Sequence, residues 1–229
     1  MENNEIKKKI YSIKIITVGN ISVGKTRINF SFVNGNINEE YRNTIGIDFL
    51  SSNIEYKDKI FKLILLDTSG MEQFRSIARG YYKNCSFAII VYDITDKNTF
   101  ESVEQWVKDC QNYGNENMHF VLVGNKIDLE NERKVSTEEG QNLANEFNMD
   151  FLETSAKTGE NIENIFQKIC KIVNNNIDEG KYDFNDPTCG ISISENEQEI
   201  TINKTLYKIN LANENNINRN NEDGHKCCK

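Results

Sequence analysis

One eight-residue segment constrains the fold of this chain more than any other feature. Residues 19–26 read Gly-Asn-Ile-Ser-Val-Gly-Lys-Thr, which fits the pattern G-x-x-x-x-G-K-[ST]. Residues 12–18 are apolar and β-branched, as in a buried strand, and residues 27–33 are able to continue as a helix. In such a strand–loop–helix unit the loop N–H groups and the helix N-terminus surround a di- or triphosphate. The sequence therefore predicts an α/β fold built around a phosphate-binding loop.

Within this loop, each residue type has a defined task. Gly19 and Gly24 let the backbone approach the phosphates, Lys25 neutralises phosphate charge, and the Thr26 hydroxyl is suited to bind Mg²⁺. We expect the remaining loop residues to contact the ligand as well: Asn20, Ile21, Ser22 and Val23.

Composition limits the class of protein. Of 229 residues 38% are hydrophobic, and the mean hydropathy of −0.61 indicates a folded core diluted by a polar segment. A net charge of −8 argues against nucleic acid as a partner, because phosphate backbones select basic surfaces. We expect neither a signal peptide nor a transmembrane helix. Four scattered cysteines lack metal-ligand spacing and are expected to be reduced cytosolic thiols, the first three in the core: Cys85, Cys110, Cys170 and Cys189.

Apolar strands alternate with amphipathic helices from residue 11 to about residue 175. Strand patterns lie at 61–66, 87–92, 118–123 and 151–154. Helical patterns cover 97–113 and 162–173, and a capping box opens another helix at Ser136. This alternation predicts a mostly parallel sheet with helices on both faces and a ligand at the carboxyl ends of the strands. After about residue 177 polar residues dominate, and we expect disorder there.

Two segments outside the loop extend the phosphate site. Asp67 and Gly70 follow a predicted strand, where a carboxylate holds Mg²⁺ through water and a Gly70 N–H meets a γ-phosphate. Thr44 lies between the first helix and the second strand, where its hydroxyl and carbonyl are able to close over Mg²⁺ and the γ-phosphate. An ordinary turn and a plain loop residue are the alternatives, so both roles rest on position.

Three residues that follow the strand at 118–123 indicate which base the bound nucleotide carries: Asn125, Lys126 and Asp128. An aspartate there suits the guanine N1–H and exocyclic amine, and it rejects adenine because the carboxylate would be left unpaired. The next strand ends in Thr-Ser-Ala-Lys, where a backbone N–H is able to reach the guanine O6. We therefore add three residues to the predicted guanine-nucleotide site: Ser155, Ala156 and Lys157.

Together these motifs resemble a Rab-type small GTPase of the Ras superfamily over about residues 10–175. The more specific marks are Thr-Ile-Gly-Ile-Asp-Phe at 44–49, Phe-Arg-Ser-Ile at 74–77 with Tyr81 and Tyr82, Val-Tyr-Asp-Ile-Thr at 91–95 and Glu-Thr-Ser-Ala-Lys at 153–157. The resemblance implies a P-loop G domain with a six-stranded, mostly parallel sheet over residues 10–177. Outside this range, the polar composition predicts a flexible extension at 1–9 and a disordered, hypervariable tail at 178–229.

The resemblance further implies a monomeric GTP/GDP switch of vesicle traffic, with Mg²⁺ as cofactor and slow hydrolysis of GTP. Metal binding would use Thr26, Thr44 and Asp67. Catalysis would use Lys25, Thr44 and Gly70. Two residues of the loop before the second strand would also contact the nucleotide: Ile37 and Tyr41.

The partners implied by the resemblance are a guanine nucleotide exchange factor, a GTPase-activating protein and effectors, with no nucleic acid. Effectors would bind a patch formed by Ile45, Gly46, Ile47, Phe49, Leu66 and Tyr81.

The chain ends in Lys-Cys-Cys-Lys, which is similar to the double-cysteine ends that Rab proteins have geranylgeranylated. It is not a C-a-a-X box, because Lys226 is fourth from the end. Two lipids, on Cys227 and Cys228, would give stable anchoring where one is marginal. The resemblance then implies a prenylation escort, a GDI-like carrier and a place on the cytoplasmic face of an intracellular membrane, in exchange with the cytosol.

Four positions depart from the family pattern. Met71 stands where a glutamine usually orients the attacking water, and methionine has no donor and only a weak acceptor. Ile21 puts a branched side chain on the γ-phosphate side of the loop, where a small residue is usual. Ile37 replaces an aromatic contact with the guanine edge, which predicts binding weaker by about 1 kcal/mol and faster exchange. Leu66 replaces the tryptophan of the effector patch, so standard effectors are not expected to fit.

Met71 and Ile21 leave two interpretations open. In the first, the chain is a switch with slow intrinsic hydrolysis, and a GTPase-activating protein supplies glutamine and arginine in trans. In the second, it is a GTP-loaded adaptor that does not turn over. A P-loop kinase is disfavoured by residues 125–128 and by the lack of a lid-like arginine segment.

Overall fold

The computed structural model describes residues 9–35, 44, 46–70 and 75–194. These residues form seven strands: β1 (Ile10–Val18), β2 (Ile47–Tyr56), β3 (Lys59–Thr68), β4 (Phe87–Asp93), β5 (His119–Asn125), β6 (Asp150–Thr154) and β7 (Ile191–Ser194). They also form six α-helices: α1 (Lys25–Asn34), α2 (Arg75–Tyr82), α3 (Lys97–Glu101), α4 (Val103–Tyr113), α5 (Thr137–Glu146) and α6 (Ile162–Asp178). None of these helices combines the length and the apolar character needed to cross a membrane.

The strands form one sheet in the order β2-β3-β1-β4-β5-β6, with β7 added beside β1. Four neighbouring pairs are parallel, while β2 runs antiparallel to β3 and β7 antiparallel to β1. The predicted mostly parallel sheet is therefore confirmed. The loops that follow the five parallel strands all leave the sheet at one edge, which is where such folds bind ligands.

Helices cover both faces of the sheet, and strand side chains alternate between the two layers. Ile13 and Ile15 of β1 belong to the same core cluster as Phe166 of α6. Ile16 of β1 belongs to the opposite cluster, together with Val107 of α4. A strand buried on both faces needs a nearly continuous apolar run. The central strands could therefore be predicted from the sequence.

The helix predicted over residues 97–113 is divided into α3 and α4, and in this respect the prediction was wrong. Ser102 lies between the two helices. Its Oγ donates to the Asn98 carbonyl at 2.8 Å. This side-chain bond accompanies the backbone bond from the Ser102 N–H to the same carbonyl, at 3.1 Å. The Ser102 hydroxyl also accepts from Asn20 Nδ2 of the phosphate-binding loop at 3.2 Å.

The sequence also predicts disorder from residue 178 onwards and a sheet of six strands. The first prediction was wrong for residues 178–194, and the second was wrong because these residues add a seventh strand. These residues include a short 3₁₀ turn at Pro187–Cys189 and the seventh strand. β7 pairs with residues 10–13 of β1, whereas β4 pairs only with residues 15–18. β7 thus completes the part of the β1 edge that β4 does not reach. We name residues 181–194 the strap.

Apolar residues hold the strap against the core, although most of its residues are polar. Ile191 is 4% exposed and belongs to the core cluster on the α1 and α6 face. Tyr182 and Phe184 pack against the same cluster, and the Phe184 ring centroid is 6.0 Å from that of Tyr11. Isolated apolar residues between Asn, Asp and Lys have no clear periodicity, so the sequence pattern indicated disorder.

Two isoleucines on β7 test the docking of the strap. Ile191→Ala should lower the free energy of unfolding by about 2–4 kcal/mol, because it opens a cavity in the core. Ile193→Ala is the matched control, since Ile193 is 39% exposed on the same strand. The control should change the free energy of unfolding by less than about 0.5 kcal/mol. Urea unfolding measures both values, and equally small effects would contradict the pairing of β7 with β1.

Candidate nucleotide-binding site

The predicted site residues come from the carboxyl ends of four parallel strands. Residues 19–24 join β1 to α1, Asp67 lies near the end of β3, Asn125 ends β5, and Ser155 follows β6. Because parallel strands end at the same edge of a sheet, these distant segments become neighbours. Lys25, Asp67, Asn125 and Ser155 are each no more than 5% exposed. The predicted site therefore includes four buried polar side chains at one edge of the sheet.

Lys25 lies along the inner side of the phosphate-binding loop. Its Nζ donates to the carbonyls of Gly19 at 2.9 Å and Asn20 at 2.7 Å. Burial lowers the pKa of the Lys25 ammonium to about 8, and the charge of Asp67 opposes part of that shift. An ammonium held away from water is suited to a ligand of high negative charge density, which phosphates provide.

Close backbone approach requires two of the glycines. Gly24 has a φ of 102°, and a Cβ at this position would lie 2.2 Å from Asn125 Nδ2. A Cβ on Gly70 would lie 2.4 Å from the backbone nitrogen of Ile21. The segment after β3 therefore touches the phosphate-binding loop at Ile21, whose side chain is 51% exposed.

Three oxygen-bearing side chains meet at the start of α1. Thr26 Oγ1 donates to Asp67 Oδ2 at 2.5 Å, and Thr44 Oγ1 donates to the same oxygen at 3.0 Å. The two hydroxyl oxygens are 2.8 Å apart. Burial raises the pKa of the Asp67 carboxyl, while the hydrogen bonds from Thr26 and Thr44 oppose the rise. Two hydroxyls and a carboxylate are hard oxygen ligands, so the set fits Mg²⁺ completed by water and phosphate oxygens.

The residues predicted to recognise the base form a second cluster. Asn125 Nδ2 donates to the Val23 carbonyl at 2.8 Å, which ties β5 to the phosphate-binding loop. Asn125 Oδ1 accepts from the Ala156 N–H at 2.9 Å. Asp128 Oδ1 accepts from Ser155 Oγ at 2.6 Å. This bond orients the Asp128 carboxylate. Such a fixed orientation is needed if the carboxylate is to pair with two N–H groups at the edge of a base.

The two lysines predicted to lie near the guanine base, Lys126 and Lys157, have different surroundings. Lys126 adopts a positive φ of 75°, and its Nζ lies 2.5 Å from Asp93 Oδ2. Lys157 is exposed, and its Nζ lies 3.6 Å from Asp128 Oδ2. Lys126 is thus held by an ion pair to β4, while Lys157 gives the Asp128 carboxylate a cationic neighbour.

Several predicted residues lie outside the part of the chain that the structure describes: Ile37, Tyr41, Ile45, Met71, Cys227 and Cys228. In the predicted effector patch, the Phe49 and Tyr81 ring centroids are 5.8 Å apart, with ring planes at 63°. Leu66 lies opposite Phe49 in the β2–β3 pairing and is only 3% exposed. Leu66 therefore belongs to the core beneath the two rings and not to the surface of the patch, which corrects its predicted place there.

No sequence motif indicated the role of the Asn20 side chain. The Trp106 indole N–H donates to Asn20 Oδ1 at 2.7 Å, and Asn20 Nδ2 donates to Ser102 Oγ at 3.2 Å. An indole N–H is only a donor, so this bond fixes the amide orientation. On the same helix Asp109 accepts from Arg79 of α2 at 3.3 Å. Helix α4 thus links the phosphate-binding loop to the helix that follows Gly70.

Asn29 is a second residue without a motif signal. It lies on α1, is 0% exposed, and donates through Nδ2 to Asp67 Oδ1 at 3.0 Å. The available signal was a polar residue on the core-facing side of the helix that follows Lys25 and Thr26. A buried amide needs a partner, and here the partner is a predicted metal ligand.

Two comparisons with known proteins agree with this geometry. A model described as the Ras family matches residues 14–175. Ras-related protein SEC4 from Candida albicans (strain WO-1) is 42% identical over 161 residues, which cover 70% of this chain and 77% of that protein. The matched family region contains every described residue of the predicted site and ends before the strap.

Asn20→Ala should shift the fluorescence emission of Trp106, which is the only tryptophan in the chain. The change removes the acceptor of a buried indole N–H, and it should lower the free energy of unfolding by about 1–3 kcal/mol. Ser102→Ala is the matched control, because it leaves the indole bond in place and should leave the emission unchanged. Emission spectra and urea titrations measure both effects, and an unshifted emission in Asn20→Ala would contradict the link.

Proposed function

The chain belongs to the Ras family as a Rab-type small GTPase, and we propose that it is a vesicle-traffic switch whose intrinsic hydrolysis is slow. Like its family, it binds GTP or GDP with Mg²⁺ and hydrolyses GTP. Exchange factors, GTPase-activating proteins and effectors are the partners of such a switch.

The main support for the proposal is the contact among the side chains of Thr26, Thr44 and Asp67. Thr44 comes from a loop separate from α1, and its hydroxyl lies 2.8 Å from that of Thr26. We propose that the two hydroxyls bind Mg²⁺ directly and that Asp67 holds it through water. The metal supplies positive charge that offsets the charge on the phosphates. Loss of the γ-phosphate would then release the Thr44 loop, which is how such switches change state.

The same edge of the sheet accounts for the choice of nucleotide. In the proposed site, Lys25 neutralises the β- and γ-phosphates and the Gly70 N–H senses the γ-phosphate. Asp128 pairs with the guanine N1–H and amine. Because Ser155 Oγ donates to Asp128 at 2.6 Å, the carboxylate is held ready and adenine would leave it unpaired.

Slow hydrolysis is supported by two side chains on the γ-phosphate side. GTP hydrolysis depends on a positioned water, and Met71 has no group that can orient one. Ile21 is 51% exposed where Gly70 approaches the loop, in the space where a water or an inserted arginine would have to fit. The same pair of residues favours the second candidate, a GTP-loaded adaptor that does not turn over.

Single-turnover hydrolysis of bound GTP separates these two candidates. The natural chain should turn over at a rate on the order of 10⁻⁴ s⁻¹ or lower, and Met71→Gln and Ile21→Ser should each be faster. Ile193→Ser is the control, because Ile193 is an exposed isoleucine on the strap and should leave the rate unchanged. Absence of any turnover would favour the adaptor. Equal rates in all four proteins would contradict the roles given to Met71 and Ile21.

We further propose that the G domain includes the strap, so that it extends from residue 10 to 194, with residues 1–9 as an extension. β7 runs antiparallel to β1, from Ile191 beside Ile13 to Ser194 beside Ile10. β7 therefore ends, at Ser194, beside the end of β1 opposite to the phosphate-binding loop.

Lipidation of Cys227 and Cys228 by geranylgeranyl groups would place the protein on the cytoplasmic face of an intracellular membrane, in exchange with the cytosol through a prenylation escort and a GDI-like carrier. Two lipids suit this cycle, because one gives only marginal binding. The buried thiols Cys85, Cys110 and Cys170 are poor competitors for modification. Burial raises the pKa of Cys85 and of Cys170 to about 12.

Replacing both Cys227 and Cys228 by serine should abolish labelling by radioactive geranylgeranyl diphosphate in a prenylation assay. Replacing one of them should remove about half of the label. Cys189→Ser is the matched control, because Cys189 is the partly exposed cysteine of the strap and should leave the label unchanged. Label that persists in the double variant would contradict the proposed lipid sites.

A further inference from the structure

The carboxylate of Asp67 is contacted from two sides. Thr26 and Thr44 donate to Oδ2, at 2.5 and 3.0 Å. From inside the domain, Asn29 Nδ2 donates to the other oxygen, Oδ1, at 3.0 Å. One oxygen is thus bound to the protein core, while the other faces the two hydroxyls.

We propose that Asn29 is a positioning residue of the magnesium site, which holds Asp67 so that Oδ2 faces Thr26 and Thr44. This inference rests on the proposed assignment of these three residues to the metal. A carboxylate on a strand end has rotational freedom about its terminal torsion, and a fixed donor removes it. Groups that orient a metal ligand change metal affinity by about 10- to 100-fold when they are removed.

Thr17 fixes the orientation of the Asn29 amide. Its Oγ1 donates to Asn29 Oδ1 at 3.1 Å, and both residues are 0% exposed. In the pairing of β1 with β3, Thr17 lies directly opposite Asp67, so the two residues present their side chains to the same helix. A flipped amide would set its oxygen against the carboxylate, acceptor against acceptor. The observed orientation leaves Nδ2 for Asp67.

A purely structural role for Asn29 would have different consequences, and Asn174 provides the comparison. Asn174 lies on α6 and is also 0% exposed. It accepts from Lys59 Nζ at 3.1 Å and donates to Asp178 Oδ2 at 2.8 Å. Lys59 begins β3, whereas Asp67 lies near its end, so Asn174 is at the opposite edge of the sheet. Loss of either amide removes similar hydrogen bonds, but only Asn29 contacts a proposed metal ligand.

The test compares Asn29→Leu with Asn174→Leu. Release of GDP that carries a methylanthraniloyl fluorophore is measured against free Mg²⁺, at a temperature below the unfolding of each variant. In Asn29→Leu the Mg²⁺ concentration that half-maximally slows release should rise about 10- to 100-fold. In Asn174→Leu this midpoint should equal that of the natural chain, although both variants lose thermal stability. Equal midpoints in both variants overturn the positioning role.

Thr26→Ala distinguishes failure of this inference from failure of the proposed site. If Thr26→Ala raises the midpoint and Asn29→Leu does not, the positioning role alone is overturned. If neither raises it, the assignment of the metal site fails and the inference fails with it. Should Asn29→Leu not fold, Asn29→Ala removes the same polar atoms without demanding more space, and its midpoint carries the same two outcomes.

Discussion

The arrangement of the site depends on the buried carboxylate of Asp67. It is 0% exposed, so its charge must be balanced by donors or by a cation. Its donors come from α1, which carries Thr26 and Asn29, and from the loop that carries Thr44. A single buried charge therefore draws three segments together. The position of Thr44 is thereby coupled to the electrostatics of the core.

In the proposed site, Lys25 and Asp67 would make the binding of metal and phosphate interdependent. Burial lowers the pKa of Lys25 to about 8 and raises the pKa of Asp67, and the charge of each opposes the shift of the other. Phosphate oxygens beside Lys25 favour its charged form, and a divalent cation beside Asp67 does the same for the carboxylate. A magnesium–nucleotide complex brings both charges at once. Neither component alone would relieve both desolvation penalties.

Those parts of the fold whose chemistry is local were predictable from the sequence. The glycine loop, the apolar central strands and the capping box at Ser136 each depend on residues within a few positions of one another, and the structure contains all three. The strap, by contrast, depends on a few apolar residues that meet β1 only after the chain has folded back. The division between α3 and α4 falls at Ser102, whose side-chain bond to Asn98 has no signal in an otherwise regular helical pattern.

Within the site, the same distinction applies. The sequence predicts roles for Gly24, Lys25 and Thr26 because the expected tasks of these residues all follow from contact with one ligand. The contacts of Asn29 with Asp67 and of Trp106 with Asn20 join residues that are distant in the chain, and neither pair has a spacing that a single sequence reveals. The residues that support a site are selected by three-dimensional complementarity and not by a motif. Their identification required the structure.

β1 holds the phosphate-binding loop and the strap at opposite ends of one strand. Its first half pairs with the strap and its second half with β4, and it runs directly into the phosphate-binding loop. Because β3 flanks it along nearly its whole length, the position of Ser194 is fixed relative to the loop. Rearrangement of the Thr44 loop or of α2 therefore does not need to move Ser194. Under the proposed lipidation, a carrier that senses the nucleotide must contact the phosphate-binding edge of the domain as well as the lipids.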